Sequence, residues 1–283
     1  MGEHREPVTI RRIVVAMDAS PHSRAAMEAA VMLAARFNAE LLGLFVEDIN
    51  VLRIAGLPHA QEFGVYSAQR RQINPVDVER QLRVRSRQVQ HSFRLLSERE
   101  SVRGTFRVTR GSVGKEIQSA AADADVLILG QVGWSQLRER QVGSTTRAVC
   151  CAEAPGVTAV LLSGAQLAPP VLVIYDASEA AEKALVFAGG LVDEMGGTLE
   201  VLLVADTELL LRARRSLLER ALTELRVMKH QHSLITSALQ NLIHAIHVQH
   251  AQTVVLPASL SLLQDGRVVS LLEQVETPVF LVR

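Results

Sequence analysis

The sequence has few cysteines and few aromatic residues. Its only cysteines, Cys150 and Cys151, are adjacent within a helical pattern, which suits a reducing compartment better than a disulfide framework. Aromatic residues make up 4% of a chain that is 48% hydrophobic, so the core must be built from Ala, Val, Leu and Ile. This composition favours close-packed layers of parallel strands and helices.

The chain also has no excess of charge of either sign. Thirty basic and thirty acidic side chains leave no net charge, so no general attraction to nucleic acid or anionic membranes is expected and any anion site must be local. Residues 1–12 contain no apolar core of a secretion signal, and no later run approaches the length of a membrane span. The sequence predicts a cytoplasmic protein whose partners include neither nucleic acid nor a membrane.

An internal repeat sets the domain organisation. Residues 13–20 read IVVAMDAS and residues 171–178 read VLVIYDAS, and the same offset of 158 positions carries Val46 onto Val204. A duplication explains this agreement better than chance, and the chain is long enough for two cores. The predicted parts are a first domain (1–163), a linker (164–170) and a second domain (171–283).

Each copy is predicted to have an α/β fold, with a doubly wound, mostly parallel five-stranded sheet. In the first copy, short β-branched and Leu-rich runs alternate with longer helical patterns. In the strand order 3-2-1-4-5 that is common for such domains, the first and fourth strands are neighbours, and a crevice opens at their carboxyl ends. The predicted strands of the first copy are residues 11–18, 39–47, 104–110, 125–130 and 157–163.

Residues 49–75 have weak periodicity and no counterpart in the second copy. They contain Gly56, Pro58 and Gly64. Two interpretations are open, a mobile flap beside the crevice or a disordered insertion without function.

A glycine-containing loop follows the fourth predicted strand. Gly130 and Gly133 are followed, after nine residues, by Gly143, Ser144 and Thr145 at the start of a helical pattern. Glycines allow backbone N–H groups to approach a phosphate closely. The two hydroxyls are predicted at the N-cap and first turn, where unpaired N–H groups and the helix dipole attract anions. The spacing therefore predicts a cradle for a phosphate chain, although turns alone also require glycine.

Asp18 ends the first strand, so it is expected at the same crevice as Gly130. A carboxylate there can contact a ligand held by the loop. Its alternative role is to cap the helix that begins near Ser20.

These features resemble the universal stress protein family over nearly the whole chain. The strand-end Asp, the glycine spacing and the flanking stretches DADVLILG, GSTTRAV and VTAVLL carry the resemblance. It implies an adenine nucleotide alpha-hydrolase-like fold that binds ATP with Mg²⁺ or Mn²⁺. It also implies that the backbone at the end of the second strand holds the adenine, that the Asp lies near the ribose, and that the loop wraps the phosphates. The positions that take these roles are Asp18, Val46, Gly130, Gly133, Gly143, Ser144 and Thr145.

The loop departs from the family pattern beside Gly133. Val132 and Trp134 stand where the family commonly has polar or basic residues. Positive charge at the loop would then come from Arg138 or Arg140, unless both are solvated surface residues.

The second copy keeps the strand-end Asp176 but lacks the glycine loop. Gly130 corresponds to Pro257 and Gly133 to Leu260, and the paired hydroxyls are gone. Proline has no N–H and leucine adds bulk, so a phosphate cradle is not expected there. The sequence predicts one nucleotide per chain.

Three functions stay open at this point. The first is an ATP-binding regulatory protein of the stress response, the second a dimerisation or interaction scaffold without nucleotide, and the third an adenylating enzyme. We find no convincing general base or set of transition-state cations, so no catalytic residue is assigned and at most slow ATP hydrolysis is expected.

Assembly and one histidine cluster are also open. The two copies can pair with each other within one chain, or the chain can form a homodimer. His244, His247 and His250 recur at a spacing of three residues, which is compatible with metal binding, with a polar surface or with a subunit contact.

Overall fold

The computed structural model describes residues 9–59, 61–63, 70–132, 141–151, 156–161 and 166–283. Within these ranges the chain forms one ten-stranded sheet with helices packed on both faces, and a separate two-stranded sheet. Among the helices described, none is both long and apolar enough to cross a membrane.

The first half of the molecule, residues 9–161, contains seven strands and five helices among its described residues. In chain order they are β1 (Arg12–Met17), α1 (Pro21–Phe37), β2 (Glu40–Asp48), α2 (Ile49–Ala55), β3 (Gln61–Phe63), β4 (Arg70–Gln72), α3 (Pro75–Arg99), β5 (Gly104–Gly111), α4 (Val113–Ala121), β6 (Val126–Gly130), α5 (Ser144–Cys151) and β7 (Val157–Leu161).

The second half, residues 171–283, repeats the plan without the segment that corresponds to α2, β3 and β4. Its elements are β8 (Val171–Tyr175), α6 (Glu179–Met195), β9 (Thr198–Ala205), α7 (Glu208–Thr223), β10 (Met228–Ile235), α8 (Leu239–Val248), β11 (Thr253–Pro257), a 3₁₀ turn (Ser261–Leu263), α9 (Arg267–Leu272) and β12 (Val279–Val282).

The strand order of the large sheet is β10-β9-β8-β11-β12-β7-β6-β1-β2-β5. Each half contributes five parallel strands in the order 3-2-1-4-5, which confirms the predicted fold. The last strands of the halves, β7 and β12, pair antiparallel, with Ala159 opposite Phe280 and Val160 opposite Val279. The two copies therefore pair within one chain. The bounds of the two domains at residues 163 and 171 stay a prediction.

Alternation along the strands builds a core on each face of the sheet. Ile13 and Val15 of β1 pack in one apolar cluster with Ala26 and Ala30 of α1. Val14 points to the other face, where it packs with helices α4 and α5. Small alanines let α1 lie close to the strands, which explains why a core with so few aromatic residues can be dense.

Part of the 49–75 insertion has regular structure. Ile49–Ala55 form α2, Asp48 caps it by accepting a hydrogen bond from the Asn50 N–H at 2.9 Å, and β3 pairs with β4. The interpretation as a disordered insertion is therefore wrong for the residues of α2. The helix is too short for its periodicity to stand out in the sequence. Residues 60 and 64–69, which include Gly64, lie outside the described residues.

Candidate functional site

A cleft with a volume of about 370 Å³ lies at the carboxyl ends of β1, β2 and β6. This is where parallel α/β sheets bind their ligands, and the volume is that of a small-molecule site. Six of the seven positions predicted from the sequence line it, namely Asp18, Val46, Gly130, Gly143, Ser144 and Thr145. Gly133 lies outside the described residues.

One wall of the cleft is apolar. The pairing of β1 with β2 ends with Met17 opposite Phe45. The next residue of β2, Val46, therefore has no β1 partner on that side, and its backbone borders the cleft there. The apolar side chains around it are Ala16, Leu44, Val113, Ile117 and Leu129.

A tight turn holds Asp18 at the end of β1. The Asp18 carboxylate accepts a hydrogen bond from the Ser20 N–H at 3.0 Å, and the Asp18 N–H donates to Ser23 Oγ at 3.1 Å. Between them, Ala19 has a left-handed backbone with φ of 68°, which costs a non-glycine residue about 1–3 kcal/mol. Ser20, and not Asp18, caps α1, because its side chain accepts from the Ser23 N–H at 3.1 Å. The turn therefore aims Asp18 at the cleft and leaves capping to Ser20.

The opposite wall is the N-terminus of α5. The Gly143 N–H donates to the Gln131 carbonyl at 2.8 Å, and the Gly143 carbonyl accepts from the Arg147 N–H at 2.8 Å. Gly143 is therefore the N-cap, so the prediction that placed Ser144 there was wrong by one position. Ser144, Thr145 and Thr146 form the first turn, whose N–H groups have no partners within the helix. All of these first-turn residues line the cleft.

The structure gives Gly130 a packing role that the sequence did not predict, and its predicted role at the phosphates stays a prediction. A Cβ added to it would lie 2.8 Å from the His22 backbone carbon and 2.9 Å from the Ser23 nitrogen. Glycine is therefore required here by the close approach of β6 to the start of α1. The Gly130 carbonyl also accepts a hydrogen bond from Thr146 Oγ1 at 2.8 Å, which ties α5 to the strand end.

Arg85 of α3 brings positive charge to the cleft. Burial lowers the pKa of its guanidinium while the nearby Asp18 carboxylate raises it, with a net decrease. Arg85 is not among the site residues predicted from the sequence. The available signal was its position three residues after Leu82 and four before Val89, on the apolar seam of the helix. Arg138 and Arg140, the predicted sources of charge, lie outside the described residues.

A second carboxylate, Asp48, lines the same cleft at the end of β2, the strand next to β1. Within the described ranges, no three His, Cys, Asp or Glu side chains come together as metal ligands. A Mg²⁺ ion bound with a nucleotide needs only one or two carboxylates, since phosphates and water supply the other ligands. Asp18 and Asp48 are suitable for that role.

A wider groove of about 670 Å³ runs between α1 and α3 and shares Met17 and Ser23 with the cleft. Its floor is apolar, and the start of α1 at its edge is already capped by Ser20 and followed by Pro21, which has no N–H. The smaller cleft is the better anion site because the first turn of α5 lines it.

The equivalent region of the second half has the same turn but a different connection after its fourth strand. Asp176 accepts hydrogen bonds from the Ser178 N–H at 3.1 Å and from the Ser178 hydroxyl at 2.6 Å, and Ala177 has φ of 62°. After Pro257 the chain makes a 3₁₀ turn and enters the short α9. The leucines of this connection are buried in the core of the second half; they are Leu260, Leu262 and Leu263.

Two features singled out by the sequence do not join the cleft. Helix α8 ends at Val248, so His250 does not continue the helical spacing of His244 and His247. Cys150 is buried, and burial raises the pKa of its thiol to about 12, which disfavours the reactive thiolate.

Comparison with known proteins bears on the family and the fold. The model of the universal stress protein family matches residues 9–150. The structure of a universal stress protein from Archaeoglobus fulgidus aligns with a TM-score of 0.72 and 17% identity over 95% of this chain and 97% of that one. A putative universal stress protein from Pseudomonas aeruginosa aligns with a TM-score of 0.61 and 14% identity over 96% and 92% of the two chains.

The same fold occurs in another context. The cytoplasmic domain of a prokaryotic cation chloride cotransporter aligns with a TM-score of 0.55 and 12% identity, over 97% of this chain and 95% of that one. A search of curated proteins gave no match. Structural likeness at such low identity shows the fold alone, whereas the family model matches the sequence itself over half of the chain. The chain therefore belongs to the universal stress protein family.

Proposed function

We propose that the chain is an ATP-binding regulatory protein of the stress response that holds one nucleotide, in its first half. The observation that carries the proposal is the cleft itself. It combines an apolar slot beside Val46, a strand-end carboxylate at Asp18, a helix N-terminus at Ser144 and a cation at Arg85. The slot suits an adenine, the carboxylate suits a ribose, and the helix start and the cation suit a phosphate chain.

The adenine ring fits the apolar end of the cleft. Ile117 and Leu129 would contact the ring faces, and the backbone at Val46 would hydrogen-bond its polar edge. Backbone recognition of this kind needs no special side chain, because N–H and C=O groups are present at every residue except proline. The ribose would lie beside Asp18, whose carboxylate can accept from its hydroxyls.

The phosphates fit the opposite end. The first-turn N–H groups of α5 and the positive end of its dipole favour an anion, and the Ser144 and Thr145 hydroxyls add donors. Arg85 would form charge-assisted hydrogen bonds with phosphate oxygens. Where Mg²⁺ or Mn²⁺ accompanies the nucleotide, Asp18 and Asp48 would hold it directly or through water.

A regulatory role fits this cleft better than fast catalysis. Among its described lining residues the charged side chains are Asp18, Asp48 and Arg85, which is less than the clamp of cations that phosphoryl transfer uses. A partner would instead recognise the nucleotide-bound form of the first half.

Equilibrium binding tests the proposal. Titration of the chain with Mg-ATP should show saturable binding at one site per chain, with GTP binding more weakly because its guanine edge differs. A melting curve gives a second readout, since ATP at a hundredfold excess over its dissociation constant should add about 2.7 kcal/mol of stability. Absence of ATP binding in the millimolar range would reject the proposal and leave an interaction scaffold.

A further inference from the structure

Contacts from the second half hold the start of α5, the helix that borders the cleft. Glu273, just after α9, accepts a hydrogen bond from the Val142 N–H at 3.4 Å and forms an ion pair with Arg147 at 3.7 Å. The side-chain amide of Gln131 donates to the carbonyl of Leu272. These contacts join the end of α9 to both stems of the glycine loop.

Another residue of the second half, Arg283, holds the other end of α5. The Arg283 guanidinium donates to the carbonyls of Val149 and Cys150 at 3.3 and 3.1 Å, and to Thr158 Oγ1 at 3.0 Å. Carbonyls in the last turn of a helix have no partners within it. Arg283, which follows the last strand of the second half, supplies the missing donors.

Gln131 connects the second half directly to the start of α5. Its side chain reaches the second half, and its backbone carbonyl accepts from Gly143, the N-cap of α5. The residue is only 1% exposed, so neither bond competes with water. Val142 and Cys150, which flank the helix start and end, belong to the apolar cluster of the second half.

We infer that the second half positions α5 for the nucleotide, with Gln131, Glu273 and Arg283 as positioning residues, and that ATP binding in the first half is thereby coupled to α9. The inference rests on the proposed function. The donors of a helix start hold phosphate only where distance and angle are right, and here the second half fixes both ends of that helix. Coupling is reciprocal, so bound ATP must also stabilise the contacts with α9.

Affinity for Mg-ATP gives the first test. Glu273→Ala and Gln131→Met should each raise the ATP dissociation constant by roughly 5-fold or more, the lower end of coupling between sites. Glu276→Ala is the matched control, because Glu276 is an exposed acid of the same segment and its removal should leave affinity within twofold. Unchanged affinity in both Glu273→Ala and Gln131→Met, with wild-type binding intact, would overturn this inference and leave the proposed function standing.

Hydrogen exchange at saturating Mg-ATP gives the second test, which loss of stability alone would not mimic. In the wild type, ATP should slow amide exchange both in α5 and in α9. In Glu273→Ala and Gln131→Met, protection of α5 should persist at saturation while the ATP-dependent protection of α9 is lost. If α5 is protected in the wild type and α9 is not, the coupling is refuted and the proposed function stands. If wild-type protein shows no affinity for ATP, both fall together.

Discussion

The two halves share the Asp-Ala-Ser turn and differ in the connection that follows their fourth strand, β6 or β11. Asp18 and Asp176 accept the same hydrogen bond from the residue two positions later, at 3.0 and 3.1 Å. Ala19 and Ala177 share the left-handed backbone. The turn is therefore a feature of the fold that is present in both halves, whatever connection follows the fourth strand. The strand-end Asp by itself is weak evidence for a nucleotide.

What distinguishes the halves is the connection to the following helix. In the first half, Gly143 and the first turn of α5 at residues 144–146 line the cleft, whereas in the second half residues 258–266 place leucines in the core and lead into Arg267. Gly130, which packs against α1, corresponds to Pro257 in β11. We therefore expect nucleotide binding to depend on the connection between β6 and α5 and on the start of α5. The changes below test that expectation.

The largest expected effect is at the N-cap of α5. Gly143→Val places a branched side chain at the wall of the cleft where the phosphates would lie, and should weaken ATP binding about 10- to 100-fold, the loss of one or two charge-assisted hydrogen bonds. Calorimetric titration measures it. If the nucleotide site were vestigial and the chain a scaffold, neither assembly nor biological effect would change.

Gly130→Ala tests whether that glycine serves packing. The new methyl would meet backbone atoms of His22 and Ser23 at 2.8–2.9 Å, and overpacking of this kind costs about 1–3 kcal/mol. Urea denaturation should show the loss of stability in protein without nucleotide. Full stability combined with weaker ATP binding would show instead that Gly130 serves the predicted role at the phosphates.

Arg85→Met should weaken ATP binding about 5- to 10-fold, since it removes one charge-assisted contact at a partly exposed position. Arg87→Met, on the solvated face of the same helix, is the matched control and should bind as the wild type does. Equal loss in the two variants would indicate a general effect of charge, and no specific role for Arg85.

The smallest effect is expected in the second half, far from the cleft. Glu200 of β9 contacts His230 Nδ1 at 2.9 Å and His232 Nε2 at 2.8 Å. Burial raises the pKa of Glu200, but the hydrogen bonds and charges of the two histidines lower it more, so the net pKa lies below the ordinary 4.5. The corresponding position of the first half is Leu42.

A depressed pKa contributes stability that is present above the unfolded value and is lost as pH falls through the folded value. The stability difference between wild type and Glu200→Gln should therefore shrink between about pH 5 and pH 3. Denaturant curves at several pH values measure it. A difference that is constant with pH would show that the carboxylate charge does not matter.

The sequence predicted most of the fold because the strands carry their own pattern. Apolar runs such as residues 13–17 are limited by turn residues, and the repeated Asp-Ala-Ser located equivalent strands in both halves. The predicted 125–130 and the observed Val126–Gly130 differ by one residue. Helix α2 was missed because seven residues hold too few turns for a periodicity to stand out.

The site was predictable only where its residues are close in sequence or follow strand ends. Ser144 and Thr145 follow Gly143 directly, and Asp18 ends a strand. Arg85 reaches the cleft from a helix 67 positions beyond Asp18, and the bond between Gln131 and Leu272 spans 141 positions. Such contacts depend on tertiary packing, within the first half for Arg85 and between the halves for Gln131, which no local pattern encodes.

The antiparallel pairing of β7 with β12 has a consequence for how the molecule responds to its own concentration. Two separate copies joined by the same strands would come apart on dilution, because their association is bimolecular. Here both partners belong to one polypeptide, so the effective concentration of each for the other is fixed by the chain. The pair therefore forms at any cellular abundance and always in a ratio of one to one. Under these conditions one half can lose a ligand site of its own and still be present in every molecule to pair with the other half.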